Sequence, residues 1–144
     1  MNRNLLGALT AENGLHVGCD LHPVSNVVES IAVFGDQYLE RVFTPAELSE
    51  CSGVAERLAA RYAAKEAVFK AMRVPAGVAI PWTTIEVRSD ASGAPNVVLS
   101  GGAAAFAVAH DIFRIELSLS HDDGFALAFA VAVTTGWRLG EDAA

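Results

Sequence analysis

An α+β fold, with a mostly antiparallel sheet packed against one long central helix, is the architecture this 144-residue sequence predicts. Three observations carry that prediction. An alternating segment stands near the start, an alanine-rich helical run spans about Val54 to Met72, and two pairs of strand-like segments are each joined by a short turn. Strands that follow one another through tight turns pair antiparallel, whereas a doubly wound parallel sheet needs a crossover between each pair. With 52% hydrophobic against 19% charged residues the chain can fill a core, which excludes intrinsic disorder. No linker or fixed-period repeat divides it, so residues 1–144 read as a single domain with its core at about 14–134 and loose ends.

The elements follow in order. Leu15 to Leu21 alternates as a first strand and delivers Asp20 near its end. A short helix from about Val24 to Val33 sets Val24, Val27, Val28 and Ile31 on one face. Thr44-Pro45-Ala46-Glu47 is a helix start: Thr44 can cap, Pro45 suits the first helical position, and Glu47 can close a capping box. The long helix, Val54 to Met72, carries Leu58, Tyr62, Phe69 and Met72 among alanines that permit close approach, and ends before Pro75-Ala76-Gly77. Thr83–Arg88 and Asn96–Leu99 flank the turn Asp90–Pro95 as a hairpin. Gly101 to Ala109 is a small helix. Phe113 to Ser120 alternates strictly, with one apolar and one polar face, and Asp122-Asp123-Gly124 turns it into a last strand, Phe125 to Val133.

Charge narrows the function. Ten basic against seventeen acidic residues, a net charge of −7, exclude a nucleic-acid partner, because backbone binding needs a surplus of Lys and Arg. No membrane span is expected, since the longest apolar run falls far short of the roughly 20 residues that cross a bilayer. Met1 to Asn13 lacks the apolar core of a secretory signal, and Cys19 and Cys51 stand at no metal-ligand spacing. Together these predict a cytoplasmic protein with reduced thiols. The only lysines, Lys65 and Lys70, lie on the same helix.

That helix holds Arg61, Lys65, Glu66 and Lys70 in one stretch. Glu66 and Lys70 are four apart and share a face with Tyr62, while Arg61 and Lys65 occupy an adjacent strip. The ordinary reading is a solvated face whose Glu–Lys pair contributes roughly 0.2–0.5 kcal/mol. Selective placement of both lysines argues for more: a carboxylate among three cations can hold a metal beside phosphates that the cations neutralise. Asp20 supplies a second carboxylate, and Gly18 before it permits a close backbone approach. Two carboxylates with open positions fit Mg²⁺, which prefers oxygen ligands and keeps waters, better than zinc. Ser118, Ser120 and His121 form a third cluster at a strand end, where His121 can donate to a phosphate. A serine-hydrolase elbow and a Gly-x-x-x-x-Gly-Lys phosphate loop are both missing.

In this order the clusters resemble the small holo-acyl-carrier-protein synthase group of phosphopantetheinyl transferases. The resemblance spans about Val17 to Val133 and rests on Val17-Gly18-Cys19-Asp20-Leu21, the segment Arg41 to Leu48, Arg61 to Lys70, Ile85-Glu86-Val87, and Leu117 to Asp122. It implies the phosphopantetheinyl transferase fold and Mg²⁺-dependent transfer of the phosphopantetheine arm of coenzyme A to a serine of an apo acyl or peptidyl carrier protein, with release of adenosine 3′,5′-bisphosphate. On this resemblance Asp20 and Glu66 hold Mg²⁺. Arg61, Lys65 and Lys70 contact phosphates, and Ser120 and His121 bind the 3′-phosphate end of coenzyme A. Glu66 is the first candidate for the base, directly or through water, with Asp20 and Lys70 completing the catalytic set. A chain of this size resembles members that form homotrimers with sites between subunits, so His121 of one subunit is expected to face Asp20, Glu66 and Lys70 of another. The alternative is a non-catalytic member that binds coenzyme A or a carrier without transfer.

Two departures stand out. The family's Gly-Thr-Gly-like turn is here Arg73-Val74-Pro75-Ala76-Gly77, in which Pro75 offers no amide hydrogen. The helix after Asp20 lacks the basic residues with which typical members dock acidic carriers, which predicts an unusual acceptor, either a less acidic carrier of a specialised pathway or one docked by apolar contacts.

Overall fold

The computed structural model describes residues 14–135. The expected loose ends, and the Met1–Asn13 segment in which no secretory signal was expected, lie outside them. Along the described chain run β1 (Leu15–Pro23), α1 (Val24–Phe34), α2 (Asp36–Val42), α3 (Pro45–Cys51), α4 (Ala55–Ala71), a 3₁₀ turn (Trp82–Thr84), β2 (Ile85–Ser89), β3 (Pro95–Leu99), α5 (Gly101–Ala109), β4 (Ile112–Asp122) and β5 (Phe125–Thr134). The α+β expectation holds, with every strand pair antiparallel. The strands divide into a three-stranded sheet of order β1-β5-β4 and a separate β2-β3 hairpin.

One helix was not foreseen. α2 is seven residues long, follows Gly35 at φ 55° and has no side-chain cap. So short a helix shows no legible period, and packing holds it: Val42 is buried and the Tyr38 ring meets Phe43 edge-on at 6.0 Å. The capping box at Thr44 forms as expected, with Glu47 N donating to Thr44 Oγ1 at 3.2 Å and Thr44 N to Glu47 Oε2 at 2.8 Å.

Small residues line the contact between α4 and the sheet. Ala126, Ala128, Ala130 and Ala132 of β5 are fully buried, as are Ala59, Ala63, Ala64, Ala67 and Ala71 of α4, so helix and sheet come close. Closest is Gly18 of β1, where an added Cβ would lie 2.0 Å from the Ala67 carbonyl oxygen and 2.7 Å from the Ala71 nitrogen. Only glycine fits there, which is the role its place before Asp20 predicted.

The period of 2 along each strand sends the other side chains outward. Leu15, Val17 and Leu21 of β1 join Phe125, Leu127 and Phe129 of β5 on an exposed outer face. β4 follows the same alternation, with Ile115, Leu117 and Leu119 packed on the core. The expected regularity breaks at its start: a register shift between Ile112 and Arg114 leaves Phe113 exposed, as a bulge does by inserting an unpaired residue.

Candidate active site

Because Gly18 seats β1 directly on α4, the next same-face residue, Asp20, lies beside the helix surface that carries Glu66 and Lys70. Lys70 Nζ donates to Asp20 Oδ1 at 3.2 Å and to the Cys19 carbonyl at 2.9 Å. The anticipated Glu66–Lys70 pair is replaced. Lys70 reaches across to β1, and Glu66 Oε1 instead accepts from the Tyr62 hydroxyl at 3.2 Å. Burial pushes the Glu66 carboxyl above the usual carboxylate range, and the Asp20 charge adds to the shift. The Tyr62 phenol is pushed up to about 12 by burial, with the Glu66 charge as the next cause. His22, two residues beyond Asp20 on the same face, sets its ring 4.2 Å from that of Tyr62. Burial lowers the His22 pKa, against the opposing pull of Asp20.

Asp20 Oδ2 is buried and has no hydrogen-bond partner. An orphaned carboxylate oxygen next to a second, half-buried carboxyl offers oxygen ligands of the kind a hard divalent cation takes. No group of three or more His, Cys, Asp or Glu side chains gathers among the described residues. Two carboxylates leave open positions for water and phosphate oxygens, which suits Mg²⁺ and not a closed zinc site.

Lys65 and Arg61 engage partners away from Asp20 and Glu66. Adjacent residues on an α-helix point about 100° apart, and Lys65 turns away from Glu66 into the core. Both Lys65 and Glu47 are 0% exposed, with Nζ 2.9 Å from Glu47 Oε2. Lys65 Nζ also donates to the carbonyls of Ile85 at 2.6 Å and Trp82 at 3.0 Å. Arg61, nearly buried, places Nη2 2.8 Å from Glu50 Oε2. Glu50 also takes Arg88 Nε at 2.6 Å, and hydrogen bonding from Arg88 first of all lowers its pKa to about 2. Both cations therefore pair with carboxylates of the scaffold.

Ser120 and His121 also separate. Ser120 pairs with Leu127 on the outer face, while His121 pairs with Ala126 on the face toward α4. His22 pairs with the same Ala126 from the other side, so the two histidines share a row about 10 Å wide, two strand spacings. His121 is exposed and borders a cavity of about 410 Å³ with Glu56, Asp122 and Asp123.

Sequence reasoning missed four partners. Glu47 and Glu50 carry no motif beyond the cap, although a buried lysine demands a buried carboxylate. Tyr62 was placed only on the Glu66 face, and His22 gave no signal beyond standing two residues after Asp20.

Comparison with known proteins bears on this arrangement. The 4′-phosphopantetheinyl transferase superfamily matches residues 16–130. The chain is 41% identical over 118 residues to the holo-[acyl-carrier-protein] synthase of Dehalococcoides mccartyi, covering 82% of this chain and 98% of the relative. Its fold is similar to the Helicobacter pylori holo-[acyl-carrier-protein] synthase in complex with coenzyme A, with a TM-score of 0.71, 28% identity, and coverage of 83% and 99% of the two chains. It is also similar to the Chronobacterium ammoniagenes ACPS-CoA complex, with a TM-score of 0.73, 31% identity, and coverage of 84% and 98%.

Proposed function

This chain belongs to the 4′-phosphopantetheinyl transferase superfamily, and from that premise we propose that it moves the phosphopantetheine arm of coenzyme A onto a serine of an apo acyl carrier protein. The observation that carries the reading is the cluster itself: Asp20, Glu66 and Lys70 brought together on the β1–α4 seam, with one carboxylate oxygen left unpartnered.

Asp20 and Glu66 would hold Mg²⁺. When bound, the ion would offset the charge of the pyrophosphate. Lys70, half-exposed on the same seam, is placed to contact phosphate oxygens. Phosphoryl transfer asks the protein mainly for in-line positioning and neutralisation of charge. The serine oxygen bonds to the phosphorus that carries the pantetheine arm, the bond to the bridging oxygen breaks, and adenosine 3′,5′-bisphosphate leaves. Glu66 takes the serine proton, and its raised pKa makes it a stronger base than a solvated carboxylate. Tyr62 holds Oε1 in place through its hydroxyl.

Assembly is part of the same reading. Val17 at 61% and Leu21 at 60% exposure stand beside exposed Phe125, Leu127 and Phe129, and a contiguous apolar sheet face of this kind marks an interaction surface. Three copies joined through it would form a homotrimer with sites between subunits, where His121 of a neighbour contributes to the 3′-phosphate end. No helix among the described residues is long and apolar enough to cross a membrane, in keeping with a cytoplasmic enzyme. The test is incubation with coenzyme A, Mg²⁺ and apo-carriers, read by mass spectrometry. A pantetheine adduct is expected. Coenzyme A binding with no adduct on any carrier would favour the non-catalytic reading instead.

A further inference from the structure

Glu66 is tethered to a row of rings. Tyr62, one helical turn before it on α4, sets its ring 4.2 Å from His22 of β1 and 5.9 Å from Trp82 of the 3₁₀ turn. Its hydroxyl donates to Glu66 Oε1 at 3.2 Å. Both ring neighbours are themselves held. His22 pairs with Ala126 in the β1–β5 ladder, and Pro23 after it, at φ −65°, confines the preceding residue to extended backbone. The Trp82 carbonyl accepts from Lys65 Nζ at 3.0 Å, and Lys65 is enclosed in the core with Glu47. Phe69 adds a further ring contact to Trp82 at 5.7 Å.

A glutamate side chain has several rotatable bonds, and fixing them costs conformational entropy at the moment of binding unless a neighbour has already fixed them. Outer partners that orient a ligating carboxylate therefore matter, and losing one typically costs tenfold to a hundredfold in metal affinity or activity. Packing alone does not require the phenol oxygen, since a phenylalanine would meet His22 and Trp82 with the same ring. The hydroxyl instead bonds the carboxylate that stands with Asp20 on the β1–α4 seam.

We infer that His22 and Tyr62 are a pair of positioning residues: His22 fixes the Tyr62 ring, and the Tyr62 hydroxyl fixes the Glu66 carboxylate for a divalent cation held together with Asp20. This rests on the Mg²⁺-holding role given to Asp20 and Glu66 above and adds the residues that set the affinity of that site. The histidine acts through its ring and bonds nothing on the ion. Because His22 reaches Glu66 only through Tyr62, removing both contributions costs no more than removing that of Tyr62 alone.

Mn²⁺, which shares the oxygen ligands of Mg²⁺, is titrated into the full-length protein and its free fraction read by electron paramagnetic resonance, with a melting curve to show that each variant is folded. Tyr62→Phe, which keeps the ring and removes the oxygen, should weaken Mn²⁺ binding by about tenfold. His22→Ala should weaken it by about the same factor, and His22→Phe, which restores a ring, should stay within about twofold of the wild type. The double variant His22→Ala/Tyr62→Phe should bind no more weakly than Tyr62→Phe. In the transfer assay the Mg²⁺ concentration for half-maximal rate should rise in the same proportions. Wild-type Mn²⁺ affinity in Tyr62→Phe would overturn the inference and leave packing as the work of these rings. So would losses that multiply to about a hundredfold in the double variant, since the two residues would then act independently. A His22→Phe variant as weak as His22→Ala would also overturn it, by placing an imidazole nitrogen on the ion. No Mn²⁺ binding by the wild type would overturn the carboxylate site and this inference with it. The expected affinities with no adduct on any carrier would support the positioning pair and overturn the transfer reading alone.

Discussion

Lys65 and Lys70 lie five positions apart, and burial gives them different work. Lys70 is half-exposed and spans from α4 to Asp20, whereas Lys65 is enclosed with Glu47 and two backbone carbonyls. Desolvation lowers the Lys65 pKa and the Glu47 carboxylate opposes that shift, so the ammonium persists only because its partner is buried with it. Lys65→Met leaves the Glu47 carboxylate buried without its counter-charge, which should cost about 3–5 kcal/mol of stability. Urea unfolding measures this directly. A phosphate-binding Lys65 would behave oppositely, with a stable variant that binds coenzyme A poorly. Helical spacing placed both lysines and Glu66 correctly on one element. It could not tell which cation faces the core, because that depends on where Glu47 and Glu50 arrive from α3, and their contact with α4 is a product of tertiary packing.

At the scale of elements, the site depends on how closely β1 can lie on α4. Gly18 sets that distance, since a Cβ there would overlap the Ala67 carbonyl, and Asp20 inherits its position from it. Gly18→Ala should destabilise the protein by about 3 kcal/mol or more, because the obstacle is backbone and cannot rotate aside. Chemical denaturation reads the loss, and near-wild-type stability would show that the seam can open without harm. Most elements were legible. The alternation of β1 and β5, the Thr44 capping box and the alanine-rich α4 each follow from local rules. What was not legible has identifiable causes: α2 is too short for a period, the bulge at Phe113 breaks one, and Ser120 and His121, adjacent in sequence, are sent to opposite faces of β4 by the same alternation that made the strand recognisable.

For the whole molecule, the net charge of −7 and the exposed sheet face make separate demands. The face of Leu15, Val17, Leu21, Phe125, Leu127 and Phe129 should be covered by copies of the chain, so light scattering should report a trimer. Phe129→Asp should dissociate it, because a charge at the centre of an apolar interface has no partner. A monodisperse, fully active monomer would contradict the assembly. Lys70 is the half-exposed cation on the seam between β1 and α4. Asp20 and Glu66 are the groups proposed to organise phosphopantetheine transfer. The most direct measurement is the initial rate of adduct formation on an apo-carrier, followed by mass spectrometry for wild type and Asp20→Asn, after both are shown to be folded. The wild type should modify the serine and Asp20→Asn should be slower by about 10²–10³-fold; equal rates for the two proteins would contradict the account.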